Sequence, residues 1–292
     1  MAAKISNTIN RYLSLVKFSH TIFALPFALI GYTLAVVNTG IGFNIRLFVL
    51  VILCMVFARS AAMAFNRYID RHIDKENART AVREIPAGII QPNSALGFAI
   101  ASSVLFVITC YFINPLCFYL SPIALLVVLG YSYTKRFTAL CHLILGLGLS
   151  LAPIGAYLAV TGVFAVLPVL YSFVVLFWVG GFDIIYALQD EEFDKGKDLH
   201  SIPVLMGKRG ALNLSNILHV LSAAVVIYAG YYAHFGLIYW AGTLFFCSLL
   251  IYQHLLVKPN DLSKVNLAFF TTNGIASVVF CAFVIAELLI AK

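Results

Sequence analysis

The chain runs to 292 residues, of which 62% are hydrophobic and only 11% charged, with a formal net charge of +7 and a mean hydropathy of +0.97. Soluble domains carry about 25% charged residues, so this balance excludes a soluble globular domain, a disordered chain and a disulfide scaffold. The basic residues lie in short links between apolar runs, not on the solvated basic face that nucleic acid needs, so the expected surroundings are a lipid bilayer and no nucleic acid.

A bilayer-spanning helix needs about 20 mainly apolar residues. Nine runs reach that length, at roughly 18–37, 47–69, 94–113, 116–134, 139–160, 164–188, 210–232, 235–256 and 267–290. They predict an all-α polytopic membrane protein forming one domain over residues 1–292. The first run follows a polar tail with Lys4 and Arg11 and has no small-residue cleavage pattern, so it reads as a retained helix. Asn114-Pro115, Gly162 and His234-Phe235-Gly236 mark tight turns between consecutive spans. The six cysteines lie in or beside apolar runs without a Cys-x-x-Cys pair, which suits packing better than metal binding.

With the N-terminus inside, sixteen of the nineteen lysines and arginines fall on the inner face. Arg46 and Lys292 fall outside, and Arg59 lies within a span. This asymmetry predicts a cytoplasmic N-terminus. Two acidic ladders then end on the cytoplasmic side. Asn66, Asp70 and Asp74 are four residues apart at the end of the second run, and Tyr186, Asp190 and Asp194 repeat the spacing at the end of the sixth. On continuing helices each set would line one face. Like charges one turn apart repel, so compensation by cations is expected. Oxygen ligands without accompanying His or Cys suit Mg²⁺ and a diphosphate held between the cations. Basic residues follow the ladders: Arg79 and Arg83 after the first, Lys197 after the second, with Lys135 and Arg136 ending the fourth run. They suit diphosphate binding, although positive-inside anchoring accounts for some of them. The two long inner links, about 70–93 and 190–209, read as caps over a cavity.

Arg59 and Asp183 lie seven residues before Asn66 and Asp190, deeper in their spans. Two roles stand about equal: a mutual ion pair joining the second and sixth helices, or contact with an acceptor substrate, for which Tyr186 is a further candidate. His20, His142, His219 and His254 are expected to pack or hydrogen-bond within the bundle.

The stretches AFNRYIDRHIDKENARTAVREIPAG (64–88), YSYTKRFT (131–138) and GFDIIYALQDEEFDKGKDLHSIPVLMGKRGA (181–211) resemble the UbiA superfamily of intramembrane aromatic prenyltransferases, over nearly the whole chain. The resemblance is closest to the bacterial 4-hydroxybenzoate polyprenyltransferase-like branch. It implies nine transmembrane helices around a central cavity with cytoplasmic caps, in a bacterial inner (plasma) membrane. It also implies Asn66, Asp70, Asp74, Asp190 and Asp194 as the catalytic magnesium–diphosphate site, with Arg79, Lys135 and Arg136 gripping the diphosphate. The expected activity joins a polyprenyl diphosphate to a hydroxy-aromatic acid in ubiquinone or menaquinone synthesis. 1,4-Dihydroxy-6-naphthoate is the rival acceptor to 4-hydroxybenzoate. Many members have Asn-Asp at the head of the first motif where this chain has Asn66-Arg67, a departure that bears on metal affinity or acceptor choice. An intramembrane cation or proton carrier is the more remote alternative, but carriers place their acids near the bilayer midplane and not at span ends.

Overall fold

A computed structural model describes residues 10–290. Apart from one isolated bridge between Lys258 and Asp261, its regular structure is helical. The helices are α1 (Leu25–Thr39), α2 (Ile45–Glu76), α3 (Pro92–Ile113), α4 (Pro115–Thr134), α5 (Cys141–Thr161), α6 (Val166–Ala187), the short α7 (Glu191–Gly196), α8 (Ile202–Tyr232), α9 (Leu237–Leu256) and α10 (Asn273–Ile290). Eight helical segments among the described residues are long and apolar enough to cross a membrane.

The first of the nine expected spans is not one helix of spanning length. A 3₁₀ segment (Phe18–Phe23) precedes α1, which has 15 residues and a proline in its first turn. Pro26 lacks the N–H that would carry an α-helix through from residue 18, and 15 residues reach only about 22 Å.

The chain divides into two compact units. The first joins the chain up to Thr21 with Val49–Tyr133; the second joins Ile22–Phe48 with Thr134 onward. In the first, Leu15, Ala64, Ile85, Ile90, Ala95 and Ala99 form a buried cluster. Ile85 and Ile90 belong to the link after α2, so that link is held down by its own apolar residues.

The second unit is built around α6, which is apolar on every side and buried along most of its length. Trp178 on α6 meets Phe27 of α1, Phe182 and Phe246 at ring distances of 5.4, 5.1 and 5.9 Å. Close backbone approach tightens the α5–α6 contact: a Cβ on Gly146 would stand 2.5 Å from the Leu176 carbonyl oxygen. On α8, the Ser215 and Ser222 hydroxyls donate to the Gly181 and Val174 carbonyls of α6.

Polar side chains within apolar helices must find partners inside the protein, because lipid offers none. Asn273 does so completely. Its Oδ1 accepts from Trp178 Nε1 and Gln253 Nε2, both at 2.8 Å, and its Nδ2 donates to the Ala268 and Phe269 carbonyls. Those carbonyls lie in a π-helical turn, Leu267–Thr272, whose widened bonding leaves them to be satisfied by a side chain. Glu287 of α10 is similarly committed: its two oxygens accept from the Gly236 and Tyr239 N–H groups, which open α9. Replacing Asn273 with Leu would strand two buried donors and two carbonyls, at a cost of roughly 2–4 kcal/mol. A clear drop in the thermal midpoint of the detergent-solubilised protein is expected; an unchanged midpoint would show that the network contributes nothing.

Candidate active site

Helix α2 continues unbroken to Glu76, as the four-residue spacing requires. Ala61, Ala64, Arg67, Asp70 and Asp74 are buried along one side of it. Asn66 Nδ2 donates to Asp70 Oδ2 at 3.0 Å, which ties the first two rungs of the ladder together. Asp74 is only 2% exposed. Its Oδ1 forms a 2.7 Å ion pair with Arg83, while its Oδ2 is buried without a hydrogen-bond partner.

The Arg83 contact is made by the link folding back. Residues 77–91 form successive tight turns: Thr80 and Ala81 N–H groups donate to the Asn77 carbonyl, and Ile89 and Ile90 N–H groups to that of Glu84. The Thr80 hydroxyl donates to the Asp74 carbonyl at 3.0 Å. Arg79 is half-buried in the same turns, its N–H donating to Asn77 Oδ1. Glu84 accepts a short hydrogen bond from the Ser14 hydroxyl. The expected cap at 70–93 is therefore helical to Glu76 and an ordered set of turns beyond it.

Arg67, the departure from the resembled motif, is buried on α2, within electrostatic reach of Asp74 and Glu84. Nothing in its spacing distinguishes it from the solvated arginines around it. Its two acidic neighbours come from the folded-back link and from two turns further along the helix.

The second ladder departs from the expected continuous helix. α6 ends at Ala187, Leu188–Asp190 forms a 3₁₀ turn, and α7 begins at Glu191. The tighter 3₁₀ winding rotates Asp190 and Asp194 off the face that a single α-helix would give them with Tyr186. Both acids are half-buried, with Lys135 and Asp190 among the charges acting on Asp194. The His200 N–H donates to the Lys135 carbonyl at 2.7 Å, stitching the α4–α5 link to the segment after α7. Arg136 is half-buried beside Lys135, and Lys197 is exposed. Tyr186 stacks on Phe269 of the π-helical turn, with ring centroids 4.1 Å apart.

The expected second cap, 190–209, is also mostly helical. Ser201 caps α8 by accepting from the Val204 N–H, Pro203 occupies its first turn, and the helix kinks at Gly207 (φ 67, ψ 172). A serine cap followed by proline starts a helix from sequence alone, and a left-handed glycine lets it bend without ending.

Arg59 and Asp183 have different partners from the mutual pair that was one of their two expected roles. Arg59 donates to the Lys17 carbonyl at 3.2 Å. Asp183 Oδ2 pairs with His142 Nδ1 at 2.7 Å. His219 and His254 hydrogen-bond to each other at 2.9 Å, as expected of packed histidines, while the His20 side chain lies outside the described residues.

Among the described residues no three His, Cys, Asp or Glu side chains gather into a ready-made metal cage. Mg²⁺ does not require one, since it usually keeps waters and takes one or two carboxylates plus substrate phosphates. The buried, unpartnered Asp74 Oδ2, one turn from Asp70, fits a cation of that kind. Removing Arg83 would leave a buried carboxylate uncompensated. Arg83→Leu is expected to lower stability by about 2–3 kcal/mol without divalent ions, the arginine being partly solvated. Thermal melts in EDTA and in Mg²⁺ check this: the deficit should shrink with Mg²⁺, and an equal deficit in both would separate Asp74 from cation binding.

Comparison with known proteins agrees with this arrangement of helices. Residues 24–275 match the UbiA prenyltransferase family. A protein named 4-hydroxybenzoate octaprenyltransferase from Nitrosomonas europaea is 30% identical over 242 residues, 82% of each chain. One of the same name from Vibrio parahaemolyticus is 30% identical over 241 residues, covering 80% of this chain and 82% of that one. Among solved structures, a UbiA homologue from Aeropyrum pernix K1 in its apo form superposes with a TM-score of 0.82 at 30% identity, over 92% of this chain and 98% of that one. A UbiA homologue from Archaeoglobus fulgidus bound to DMAPP and Mg²⁺ shares the fold at a TM-score of 0.71 and 21% identity, over 96% and 99% of the two chains. The helical order, the acidic motif ending α2 and the match over most of the chain together make this protein a member of the UbiA prenyltransferase family.

Proposed function

We propose that this prenyltransferase moves a polyprenyl group from a polyprenyl diphosphate to a ring carbon of a hydroxy-aromatic acid, 4-hydroxybenzoate being the leading acceptor, in quinone biosynthesis. The observation that carries the reading is Asp74: a carboxylate at the end of a membrane helix, with Arg83 on one oxygen and no partner on the other. The names of the relatives support the acceptor class and an octaprenyl-length donor.

In this reading Asn66, Asp70 and Asp74 from α2, with Asp190 and Asp194 from the α6–α7 region, hold Mg²⁺ and through it the diphosphate. Bound Mg²⁺ supplies the positive charge that stabilises the departing diphosphate. Arg79, Arg83, Lys135, Arg136 and Lys197 add to that charge from the protein side, Arg83 by turning from Asp74 toward the phosphate oxygens. The Asn66–Asp70 bond keeps the Asp70 carboxylate oriented. Apolar helix surfaces hold the prenyl chain and keep water from the allylic cation, which water would trap as an alcohol. Tyr186, stacked on Phe269, offers a π face on the side of the second motif. The cationic links support a site and an N-terminus at the cytoplasmic face of a bacterial inner membrane.

Asp70→Asn and Asp190→Asn are each expected to reduce prenyl transfer by at least about 10²-fold, the scale seen when preorganised electrostatic stabilisation is removed. EDTA should abolish turnover and Mg²⁺ restore it. The measurement is mass-spectrometric detection of the prenylated product from octaprenyl diphosphate with 4-hydroxybenzoate or 1,4-dihydroxy-6-naphthoate. Wild-type rates in either variant, or turnover indifferent to chelator, would refute the reading.

A further inference from the structure

The His142–Asp183 pair is not among the residues assigned to the metal–diphosphate site, although His142 stands within electrostatic reach of Asp194. Asp183 is on α6, seven residues and about 10 Å along the helix from Asp190 toward the membrane interior. His142 opens α5, and the close α5–α6 approach at Gly146, one turn further on, fixes the two side chains against each other. His142 Nε2 accepts from the Ile202 N–H at 3.4 Å, which leaves the imidazole proton on Nδ1, directed at Asp183 Oδ2. The imidazole is buried at 5% side-chain exposure, whereas the carboxylate keeps 21%. Among the described residues Asp183 Oδ1 makes no hydrogen bond, so one oxygen is locked and the other is open. Glu287 contrasts with it, since both of its oxygens are spent on backbone N–H groups. An ionisable group retained within an apolar helix is costly, and a pin between two helices would need no open oxygen.

Prenylation of an aromatic ring also requires an acceptor for the proton lost from the substituted ring carbon. We propose that Asp183 Oδ1 is that acceptor and that His142 is its positioning residue. The inference rests on the transfer chemistry proposed above. In it the C1–O bond of the allylic diphosphate breaks, its electron pair leaving on the diphosphate. A ring π pair forms the new C–C bond ortho to the acceptor hydroxyl. The C–H bond at that carbon then breaks, its pair restoring the aromatic ring and its proton passing to Asp183 Oδ1. His142 Nδ1–H holds Oδ2 and spreads the carboxylate charge while the ligand is bound, so that Oδ1 keeps its aim.

The test uses the full-length protein in detergent or liposomes, with octaprenyl diphosphate and ring-deuterated or ordinary 4-hydroxybenzoate. Diphosphate release, prenylated acid and prenyl alcohol are each measured. Asp183→Asn should still release diphosphate, while prenylated acid falls about 10²-fold, the usual scale of general-base catalysis, and alcohol makes up the difference. A primary deuterium isotope effect should appear in the variant, because proton loss has become slow. Asp183→Glu should recover part of the coupling. His142→Gln, which preserves a donor, should lose less than His142→Leu, and both should raise the alcohol share. If Asp183→Asn does not fold, the two His142 variants decide the matter alone. Diphosphate release and prenylated acid falling in parallel, with an unchanged alcohol share, would make the pair a structural pin and overturn the proposal. Wild-type protein that prenylates neither aromatic acid would instead refute the underlying transfer reaction, whatever the variants do.

Discussion

A carboxylate buried at the end of an apolar helix must be given a partner, and much of the first unit is arranged to give Asp74 one. Asp74 sits where α2 is about to end, too enclosed for water to solvate it. Its compensation arrives from nine residues further along the chain. That is possible because Ile85 and Ile90 pack into the cluster of Leu15, Ala64, Ala95 and Ala99 and hold the link against the helix from which it came. Apolar burial thus fixes a loop, the loop aims an arginine, and the arginine offsets one carboxylate oxygen. The second oxygen remains for a ligand. Buried pairs of this sort contribute little net stability, which makes a binding role the better physical reason for keeping one.

The second unit meets the same constraint differently. Its acids follow α6, the most enclosed helix, and the chain leaves the α-helical path just before them. The 3₁₀ turn at Leu188–Asp190 and the short α7 bring Asp190 and Asp194 into half-solvated positions, with Lys135 among the charges acting on Asp194. Deeper in the bundle, the side-chain polar atoms of Asn273 and Glu287 each have a defined partner. The aromatic packing around Trp178 supplies the rigidity that lets a few polar atoms be placed to within a hydrogen-bond length.

How legible this was depends on how local each feature is. The ladder on α2 was legible because a continuous helix preserves its period, and apolar composition located nearly every span. The second ladder has the same spacing, but spacing does not reveal where an α-helix tightens into a 3₁₀ turn. The link at 190–209 was read as a cap because it lies between two apolar runs, whereas Pro203 falls in the first turn of α8 and Gly207 bends that helix. Asp183 stood out as an acid in an apolar run, yet nothing in the sequence says which helix neighbours α6 at that height. His142 supplies the partner, having been expected to pack or hydrogen-bond within the bundle with no partner named. Arg67 stood out only as a departure from the resembled motif, and Asn273 and Glu287 were missed as special positions. For the last two the available signal was simple: a polar residue alone within an apolar run, which lipid would never tolerate unpaired.

The acids of this chain also show that residue type alone does not set a role within a membrane fold. Glu287 has both oxygens bound by backbone N–H groups and can do nothing further. Glu84 is held by Ser14 through one oxygen; the other is buried without a hydrogen-bond partner, and the buried Arg67 within electrostatic reach offsets the charge. Asp74 and Asp183 each have one oxygen held by a side-chain cation or N–H donor and the other left over. That half-satisfied state is unfavourable in a structure maintained for stability alone, because an uncompensated carboxylate oxygen in an apolar setting raises the energy of the folded state. It becomes favourable only when something binds there for part of the catalytic cycle. Asp74, at the end of its helix with arginine beside it, suits a cation bearing phosphate. Asp183, further into the bundle with an imidazole beside it, suits a proton. The partner on the first oxygen therefore distinguishes what the second oxygen is for.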